Sequence, residues 1–444
     1  MVETITIVIL SMAAFWLFQL VILSSSFFGV YISEISLWFS WIPIANIVVA
    51  IPFIVRFARE TQPNIDFILL IISLLAFLAT FLRIIIPFLQ VRKTNSEFSK
   101  AMKSALGSDY LENIDSSINS RFSKEVKFRL IRYIRGPQLW KLKKRVNIQD
   151  SITFRTFKDG DLQLNVYYPK REGTFPVVVF VHGGGWISGS KDEKSNIAVC
   201  LMLANLGYCV YNIDYRLTRL EPLVRKGEHP HDHPTIRDMV SDVRSAIIFA
   251  KRNASKYKGN PDEFFLFGRS AGAHLVLLTA FSCEEEFFKI EGIQCSKKDV
   301  EITGIIAFYP ITNVNEFYKL HASSPVRLAI ERSVGGSLEE KEELYNLFSP
   351  VSYITEERAK NIPPIFIAAG KQDKIVNVKQ SKELFEKLKE HNLTSVLLVL
   401  PWANHIFDFI MYGPGGQLTF EYLTQFLVWT LSMKKMKEKV NNNE

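Results

Sequence analysis

Three residues whose types suit nucleophilic chemistry lie far apart in the sequence: Ser270, Asp373 and His405. A serine hydroxyl is a weak nucleophile at its ordinary pKa, so it needs a histidine base, and that base needs an acid to orient it. Serine, then aspartate, then histidine is an order in which such groups occur. We therefore predict that Ser270 attacks, that His405 carries its proton and that Asp373 orients His405.

The serine stands in a tight turn, Gly268-Arg-Ser-Ala-Gly272, between two apolar runs. A predicted strand ends there and reverses into a predicted helix, which forces Ser270 into a strained backbone conformation. Gly268 and Gly272 lack the side chains that would collide across such a turn. The pattern predicts a hydroxyl that stands clear of the chain at the carboxyl edge of a sheet, beside the positive end of a helix.

A glycine-rich turn, His182-Gly-Gly-Gly-Trp186, follows the apolar run FPVVVFV. Its three glycines let the backbone approach a substrate oxygen and direct amide N–H groups at it, and the amide of Ala271 can add a donor. These features predict an oxyanion hole. We expect Gly183 and His182 to support the loop, with His182 forming a hydrogen bond and taking no part in the chemistry.

The acid and the base each follow a predicted strand. Asp373 lies in GKQDKIV after PPIFIAAG, and His405 lies in WANHIFDF after SVLLVLP. Loops that follow parallel strands meet at one edge of the sheet, which would bring both side chains to Ser270. Two alternatives stay open: Asp408 as the acid, although its position favours the next helix, and an ordinary surface role for His405.

From residue 151 onward, short apolar runs alternate with longer amphipathic stretches. This alternation of short apolar runs and amphipathic stretches predicts a mainly parallel sheet with helices on both faces and an antiparallel hairpin at one edge. The predicted strands lie near 152–157, 162–168, 176–181, 208–214, 263–268, 303–309, 364–369 and 395–400. The predicted helices fill 193–206, 235–256, 271–281, 377–390 and 416–435.

The stretches HGGGW, GRSAGAHL, GKQD and NH together resemble the alpha/beta-hydrolases of the hormone-sensitive lipase and carboxylesterase group, over roughly residues 150–435. The resemblance implies an α/β class, alpha/beta-hydrolase fold with a mostly parallel eight-stranded sheet. It also implies the Ser270, Asp373 and His405 triad and an oxyanion hole at Gly184, Gly185 and Ala271. The arginine before the serine departs from the lipase branch, because GRSAGAHL is closer to prenylcysteine methylesterases and kynurenine formamidases.

The N-terminal part of the chain differs in composition from the rest, because it contains three long apolar segments: Ile5–Leu23, Ile35–Val55 and Ile65–Leu89. Each approaches or exceeds the roughly 20 residues that a helix needs to cross a bilayer. Glu3 is the only charged residue before the first segment, and this lack of a basic leader favours an anchor over the alternative, a cleaved signal peptide followed by core helices. Membrane segments before a hydrolase domain also resemble the prenylcysteine methylesterases.

These segments predict three parts of the chain. Residues 1–91 are expected to form a membrane region of about three transmembrane helices, 92–150 a basic connector and 151–437 the catalytic domain. More basic residues follow the third apolar segment than the second, which favours a cytoplasmic catalytic domain. The four cysteines show no zinc or disulfide spacing, which suits a reducing compartment.

Part of the connector, residues 121–145, carries ten Lys or Arg and a single acid. Apolar residues recur within it at helical spacing: Val126, Leu130, Ile131 and Ile134. We predict an amphipathic helix that ends at Gly136-Pro137. It would lie either on anionic lipid headgroups or in solvent against the catalytic domain. The net charge of +8 is concentrated here and indicates a membrane surface, because no nucleic-acid recognition motif accompanies it.

The sequence thus predicts a multi-pass membrane serine esterase that cleaves a small lipophilic carboxylic ester through an acyl-enzyme, with no metal or organic cofactor. The histidines of residues 227–234 do not match a zinc spacing and favour an entrance loop. Long insertions at 216–234 and 312–350 are expected to form the acyl pocket, with candidate lining residues Phe317, Tyr318 and Leu320. Amide or formamide hydrolysis, acyl transfer, and a non-catalytic binding protein remain alternatives, and no oligomeric state is indicated.

Overall fold

The computed structural model describes residues 65–112, 114, 121–136, 138–158, 160–219, 233–289, 299, 301–324 and 326–441, with isolated positions between 12 and 55. The predicted spans Ile5–Leu23 and Ile35–Val55 therefore lie outside the described residues, apart from those isolated positions. Most of the histidine-rich stretch 227–234 lies outside them as well.

One eight-stranded sheet organises the chain, in the order β1-β2-β4-β3-β5-β6-β7-β8. The strands are β1 Val146–Phe157, β2 Gly160–Pro169, β3 Phe175–Val181, β4 Cys209–Ile213, β5 Gly259–Arg269, β6 Gly304–Phe308, β7 Ile365–Gly370 and β8 Ser395–Leu400. β2 pairs antiparallel with β1 and β4, whereas the neighbouring strands β3 to β8 pair in parallel. The predicted strands and the edge hairpin are confirmed.

The first strand is longer than predicted. It begins at Val146, because residues 146–149 continue the pairing with β2 beyond a bulge near Ser151. Ser151 has a φ of 56°, a left-handed conformation that interrupts the apolar alternation of a regular strand. The interruption hides the first part of β1 from a search for alternating patterns.

Helices cover both faces of the sheet. Three helices precede the sheet: α1 Ile65–Leu106, α2 Leu130–Arg135 and α3 Leu139–Lys143. The longer helices that connect or follow the strands are α4 Lys194–Leu206, α5 Ile236–Asn253, α6 Ala271–Phe281, α11 Val378–Glu390 and α12 Pro414–Asn441. The long insertion after β6 contains four short helices that were not predicted: α7 Val314–Leu320, α8 Val326–Val334, α9 Leu338–Leu347 and α10 Glu356–Ala359. Alternate side chains of β3, such as Val179 and Phe180, enter the hydrophobic cores on opposite faces.

Helix α1 combines two environments. Within the part of the chain that the structure describes, its segment Ile71–Leu106 is the one helix long and apolar enough to cross a membrane. Its C-terminal half instead packs into the core, where Phe98 and Met102 are buried and Phe98 meets Tyr422 of α12 at 5.8 Å between ring centroids. The predicted third apolar segment therefore continues into the body of the sheet domain as one helix.

The connector is less helical than predicted. Helix α2 does end at Gly136, but residues 122–129 contain no helix, and Val126 is buried in a non-helical segment. Asn95 of α1 donates a hydrogen bond to the Val126 carbonyl (2.8 Å), and Gln425 of α12 donates to the Ser123 carbonyl (2.7 Å). These carbonyls are engaged by distant side chains, so they are not available for intrahelical bonds.

Candidate active site

The structure brings Ser270, His405 and Asp373 together at the carboxyl edge of the parallel strands. Ser270 follows β5, Asp373 follows β7 and His405 follows β8. The distance from Ser270 Oγ to His405 Nε2 is 2.9 Å, and that from His405 Nδ1 to Asp373 Oδ2 is 2.6 Å. All three residues are buried. Both ring nitrogens of His405 are thus engaged, one by the hydroxyl and the other by the carboxylate.

The turn around Ser270 has the predicted form. Ser270 has φ 52° and ψ −121°, a strained conformation that persists only where its surroundings enforce it. A Cβ on Gly268 would lie 2.3 Å from the Gly272 carbonyl oxygen, and a Cβ on Gly272 would lie 2.2 Å from the Val181 carbonyl oxygen. Glycine at both positions therefore allows β3, β5 and α6 to approach closely enough to form the turn.

Asn404 links the acid loop to the histidine loop, a role that the sequence did not reveal. Its Oδ1 accepts hydrogen bonds from the Lys374 amide (3.0 Å) and the His405 amide (2.8 Å). Asp373 Oδ1 accepts from the amides of Ile375 (2.9 Å) and Val376 (2.8 Å), which leaves Oδ2 directed at His405. The only sequence signal for Asn404 was its position beside the histidine.

Asp408, the alternative acid, contacts other groups. Its carboxylate forms an ion pair with Arg269, the residue before Ser270, and accepts a hydrogen bond from the Tyr309 hydroxyl at 2.6 Å. Tyr309 follows β6 and has a φ of 41°, and its ring packs against that of His405 at a tilt of 59°, with 4.4 Å between ring centroids. This buried cluster connects the serine turn to the histidine loop, and it explains why an arginine can occupy the position before the serine.

The glycine-rich loop passes close to the serine. Gly184 has φ 129° and Gly185 has φ 61°, both in the region that favours glycine. A Cβ on Gly184 would lie 1.9 Å from the Ser188 carbonyl oxygen, and one on Gly183 would lie 3.2 Å from Ser270 Cβ. Ala271 is the first residue of α6, so its amide has no partner within that helix. The loop and the helix end therefore supply backbone amides beside Ser270.

His182 lies beneath this loop. Its Nδ1 donates a hydrogen bond to the Gly183 carbonyl at 2.8 Å, and its ring stacks on Tyr215 at 4.4 Å between centroids. The Tyr215 hydroxyl donates to the His182 carbonyl at 3.1 Å. Burial lowers the pKa of His182, so the ring is held neutral in a supporting position.

His274, one turn into α6, is a further buried histidine that sequence reasoning missed. Trp186 Nε1 donates to His274 Nδ1 at 3.2 Å, and His274 Nε2 donates to the Phe348 carbonyl at 2.8 Å. Only a neutral ring with its proton on Nε2 can accept the first bond and donate the second. His274 thereby joins the glycine loop, the serine helix and the long insertion. Burial lowers its pKa to about 4.

This lowered pKa predicts a loss of stability in mild acid. In the unfolded chain His274 binds a proton near pH 6.5, whereas in the folded chain it does so only near pH 4. The free energy of unfolding therefore has its full value above about pH 6.5 and decreases by about 3 kcal/mol as the pH falls towards 4. His274→Gln keeps a donor and an acceptor but does not titrate. Thermal unfolding between these pH values should therefore show a shallower acid loss for the variant, and identical slopes would contradict the assignment.

The candidate pocket residues differ in their surroundings. Phe317 is buried between Trp186 (6.0 Å between ring centroids) and His321 (4.7 Å), next to the glycine loop. Tyr318 is buried as well, but its hydroxyl donates to Glu331 at 2.7 Å within the insertion. Leu320 is 53% exposed. Of these residues, Phe317 is the one that contacts a residue of the glycine loop.

Comparison with known proteins gives one family match and several named relatives. The BD-FAE family model matches residues 164–388, about half of the chain. Isoprenylcysteine alpha-carbonyl methylesterase of Arabidopsis thaliana is 29% identical over 262 residues, covering 57% of this chain and 56% of that protein. Esterase LipC of Mycobacterium tuberculosis is 28% identical over 259 residues, covering 56% and 58%. The chain thus spans little more than half the length of these curated relatives.

Solved structures share the fold. Esterase B from Lactobacillus rhamnosis matches with a TM-score of 0.54 and 19% identity, over 78% of this chain and 99% of that chain. Its inhibited form matches with a TM-score of 0.52 and 20% identity, over 66% and 91%. At this identity the similarity establishes the architecture alone, and it confirms the predicted alpha/beta-hydrolase fold.

Proposed function

This chain belongs to the BD-FAE family, and on that basis we propose that it is a serine hydrolase of carboxylic esters. The observation that supports the proposal most directly is the hydrogen-bonded series from Ser270 Oγ through His405 to Asp373, with distances of 2.9 and 2.6 Å. Such a series is the arrangement that a weak hydroxyl nucleophile needs. The named esterase relatives point to the same chemistry.

In the first half of the reaction, Ser270 Oγ attacks the ester carbonyl carbon and His405 Nε2 takes its proton. Asp373 holds the ring in the orientation that presents Nε2 and stabilises the imidazolium that forms. Amides of Gly184, Gly185 and Ala271 then donate to the oxyanion of the tetrahedral intermediate. As the intermediate collapses, His405 returns its proton to the departing alkoxide, and an acyl group remains on Ser270.

The second half repeats these steps with water. His405 removes a proton from a water molecule, which attacks the acyl carbonyl and forms a second tetrahedral intermediate. Its collapse returns the proton to Ser270 Oγ and releases the carboxylic acid.

We also propose the arrangement of the whole chain: residues 1–91 as a multi-pass membrane region, 92–150 as a basic connector and 151–437 as a cytoplasmic catalytic domain. Support comes from the apolar N-terminal segments in the sequence and from the exposed side chains of α1, such as Leu75 and Leu82. A membrane-anchored hydrolase would meet lipophilic esters dissolved in the bilayer. A small lipophilic ester is therefore the substrate class that we propose.

A substrate panel tests the reaction type. The full chain, purified in detergent or nanodiscs, is given aryl esters of increasing acyl length, a prenylcysteine methyl ester, and an anilide and a formamide of matched leaving group. We expect the esters to turn over fastest, because their aryloxide or alkoxide leaving groups need less protonation assistance than amines. Preference for the anilide or formamide would replace the esterase assignment with an amidase, and absence of turnover on all of them would contradict it.

A further inference from the structure

An exposed apolar and basic surface lies on the connector, outside the candidate active site. We call it the connector face and define it by the exposed apolar residues of α2 and α3 and the Lys and Arg around them. The apolar members and their exposed fractions are Leu130 (54%), Ile131 (53%), Ile134 (66%) and Trp140 (59%). Lys141 and Lys144 lie over the Trp140 ring at 5.2 and 4.9 Å from its centroid. Large apolar side chains among cations are typical of a surface that enters a lipid interface.

The position of α2 along α1 places this face at the end of the apolar part of that helix. Tyr133 of α2 packs on Phe88 of α1, with ring centroids 5.2 Å apart, and on the buried Ile84. Leu89 of α1 is 69% exposed, and the next exposed side chains beyond Gln90 are Arg92 and Lys93. The change from apolar to charged surface marks the level at which a membrane helix leaves the hydrocarbon. Helix α2 contacts α1 at that level.

The charge of the neighbouring groove fits an anionic surface. A groove of about 560 Å³ between the connector, α4 and α12 is lined by seven Lys or Arg and two acids. The two acids are paired, Glu125 with Lys127 and Glu421 with Arg132. The remaining cations of the groove, such as Arg129, Arg135 and Arg145, give it an excess of positive charge. A leaflet that contains anionic lipids attracts such clusters when they lie close to its surface.

We propose that the connector face docks in the headgroup layer of an anionic lipid leaflet. Leu130, Ile131 and Ile134 enter the boundary of the acyl chains, Trp140 lies at headgroup level, and the surrounding cations contact lipid phosphates. This docking rests on the membrane role of α1 proposed above and is independent of the esterase assignment.

Docking would hold the catalytic domain at a second point besides α1. Arg132 pairs with Glu421 of α12 at 2.8 Å, and the backbone of Arg129 exchanges two hydrogen bonds with the Gln417 side chain. Gln417 also donates to the Tyr412 carbonyl at 2.6 Å, in the segment that joins the histidine loop to α12. A lipid-bound α2 is therefore fixed to the element that follows His405, and the orientation of the domain to the membrane is set.

A depth measurement on the full chain tests the proposal. Ile134→Cys is labelled with a small fluorophore, and the chain is placed in nanodiscs of phosphatidylcholine with or without phosphatidylserine, each containing spin-labelled lipid as quencher. We expect strong quenching with phosphatidylserine. Val440→Cys, exposed on α12 nineteen residues beyond Glu421 and thus roughly 28 Å along the helix, is the matched position and should stay unquenched. The unmodified chain, labelled in the same way, gives the background from its own cysteines.

A charge variant separates lipid docking from coverage by protein. Arg135→Gln combined with Lys143→Gln and Lys144→Gln should weaken docking by about fivefold per cation, on the order of a hundredfold in all. The matched control combines Lys382→Gln, Lys389→Gln and Lys437→Gln. These three lysines are exposed at sites outside the connector face, so the control should dock normally. The proposal is overturned if Ile134→Cys is quenched no more than Val440→Cys. It is equally overturned if the label is shielded from iodide without lipid quenching, because another part of the chain or a second copy would then cover the face.

Discussion

Ser270→Ala is expected to lower kcat for a short-chain aryl ester on the order of 10⁶-fold, the cost seen when a serine nucleophile of this kind is removed. The substitution deletes the atom that would form the acyl-enzyme, so no change in binding can compensate. The residue is buried and its hydroxyl bonds only to His405 among the described side chains, so the fold should tolerate the smaller side chain. Purified full-length variant and parent are compared by steady-state turnover and by thermal unfolding.

Ser282→Ala provides the matched control. Ser282 is also buried, but its hydroxyl donates to the Leu278 carbonyl within α6, away from His405. This variant should keep full turnover and should react with a fluorescent phosphonate as the parent does, whereas Ser270→Ala should not be labelled. If Ser270→Ala retained turnover, the proposed nucleophile would be wrong even if the protein proved to be an esterase.

Asp373→Asn is expected to lower kcat by about 10⁴-fold with little change in KM. The amide has nearly the shape of the carboxylate, but it carries no charge to stabilise the imidazolium, and its N–H₂ group can favour the wrong tautomer of His405. The His405 Nδ1 to Asp373 Oδ2 distance of 2.6 Å makes this the contact on which the orientation of the ring depends. Turnover per folded molecule, measured across the pH range, gives the effect.

Asp408→Asn is the informative comparison, because Asp408 lies only three residues beyond His405 in the sequence, whereas Asp373 contacts the His405 ring from a separate loop. Loss of the Asp408 carboxylate leaves the buried Arg269 without its counter-ion, so we expect destabilisation of about 3 kcal/mol or more, with a much smaller loss of turnover per folded molecule than for Asp373→Asn. If Asp408→Asn lost as much turnover per folded molecule as Asp373→Asn, or more, the assignment of Asp373 as the acid of the triad would be contradicted.

The backbone around the site could be predicted from the sequence because its determinants are local. Gly268 and Gly272 stand two residues on either side of Ser270, and the structure shows that side chains at either position would meet backbone atoms at 2.2 to 2.3 Å. Continuous apolar runs gave the positions of the strands. Since the strands from β3 to β8 are parallel, the loops that carry Ser270, Asp373 and His405 had to emerge at one edge.

What the sequence alone determined, then, is which segments form the sheet and which polar residues gather at its edge. The tertiary structure decided how distant polar groups pair: Asp408 with Arg269, His274 with Trp186, and Asn95 and Gln425 with the carbonyls of the connector. A strand or a turn follows from neighbours along the chain, through sterics and apolar periodicity. The partner of a buried polar group follows from whichever donor or acceptor the fold brings within about 3 Å, and no local pattern specifies that choice.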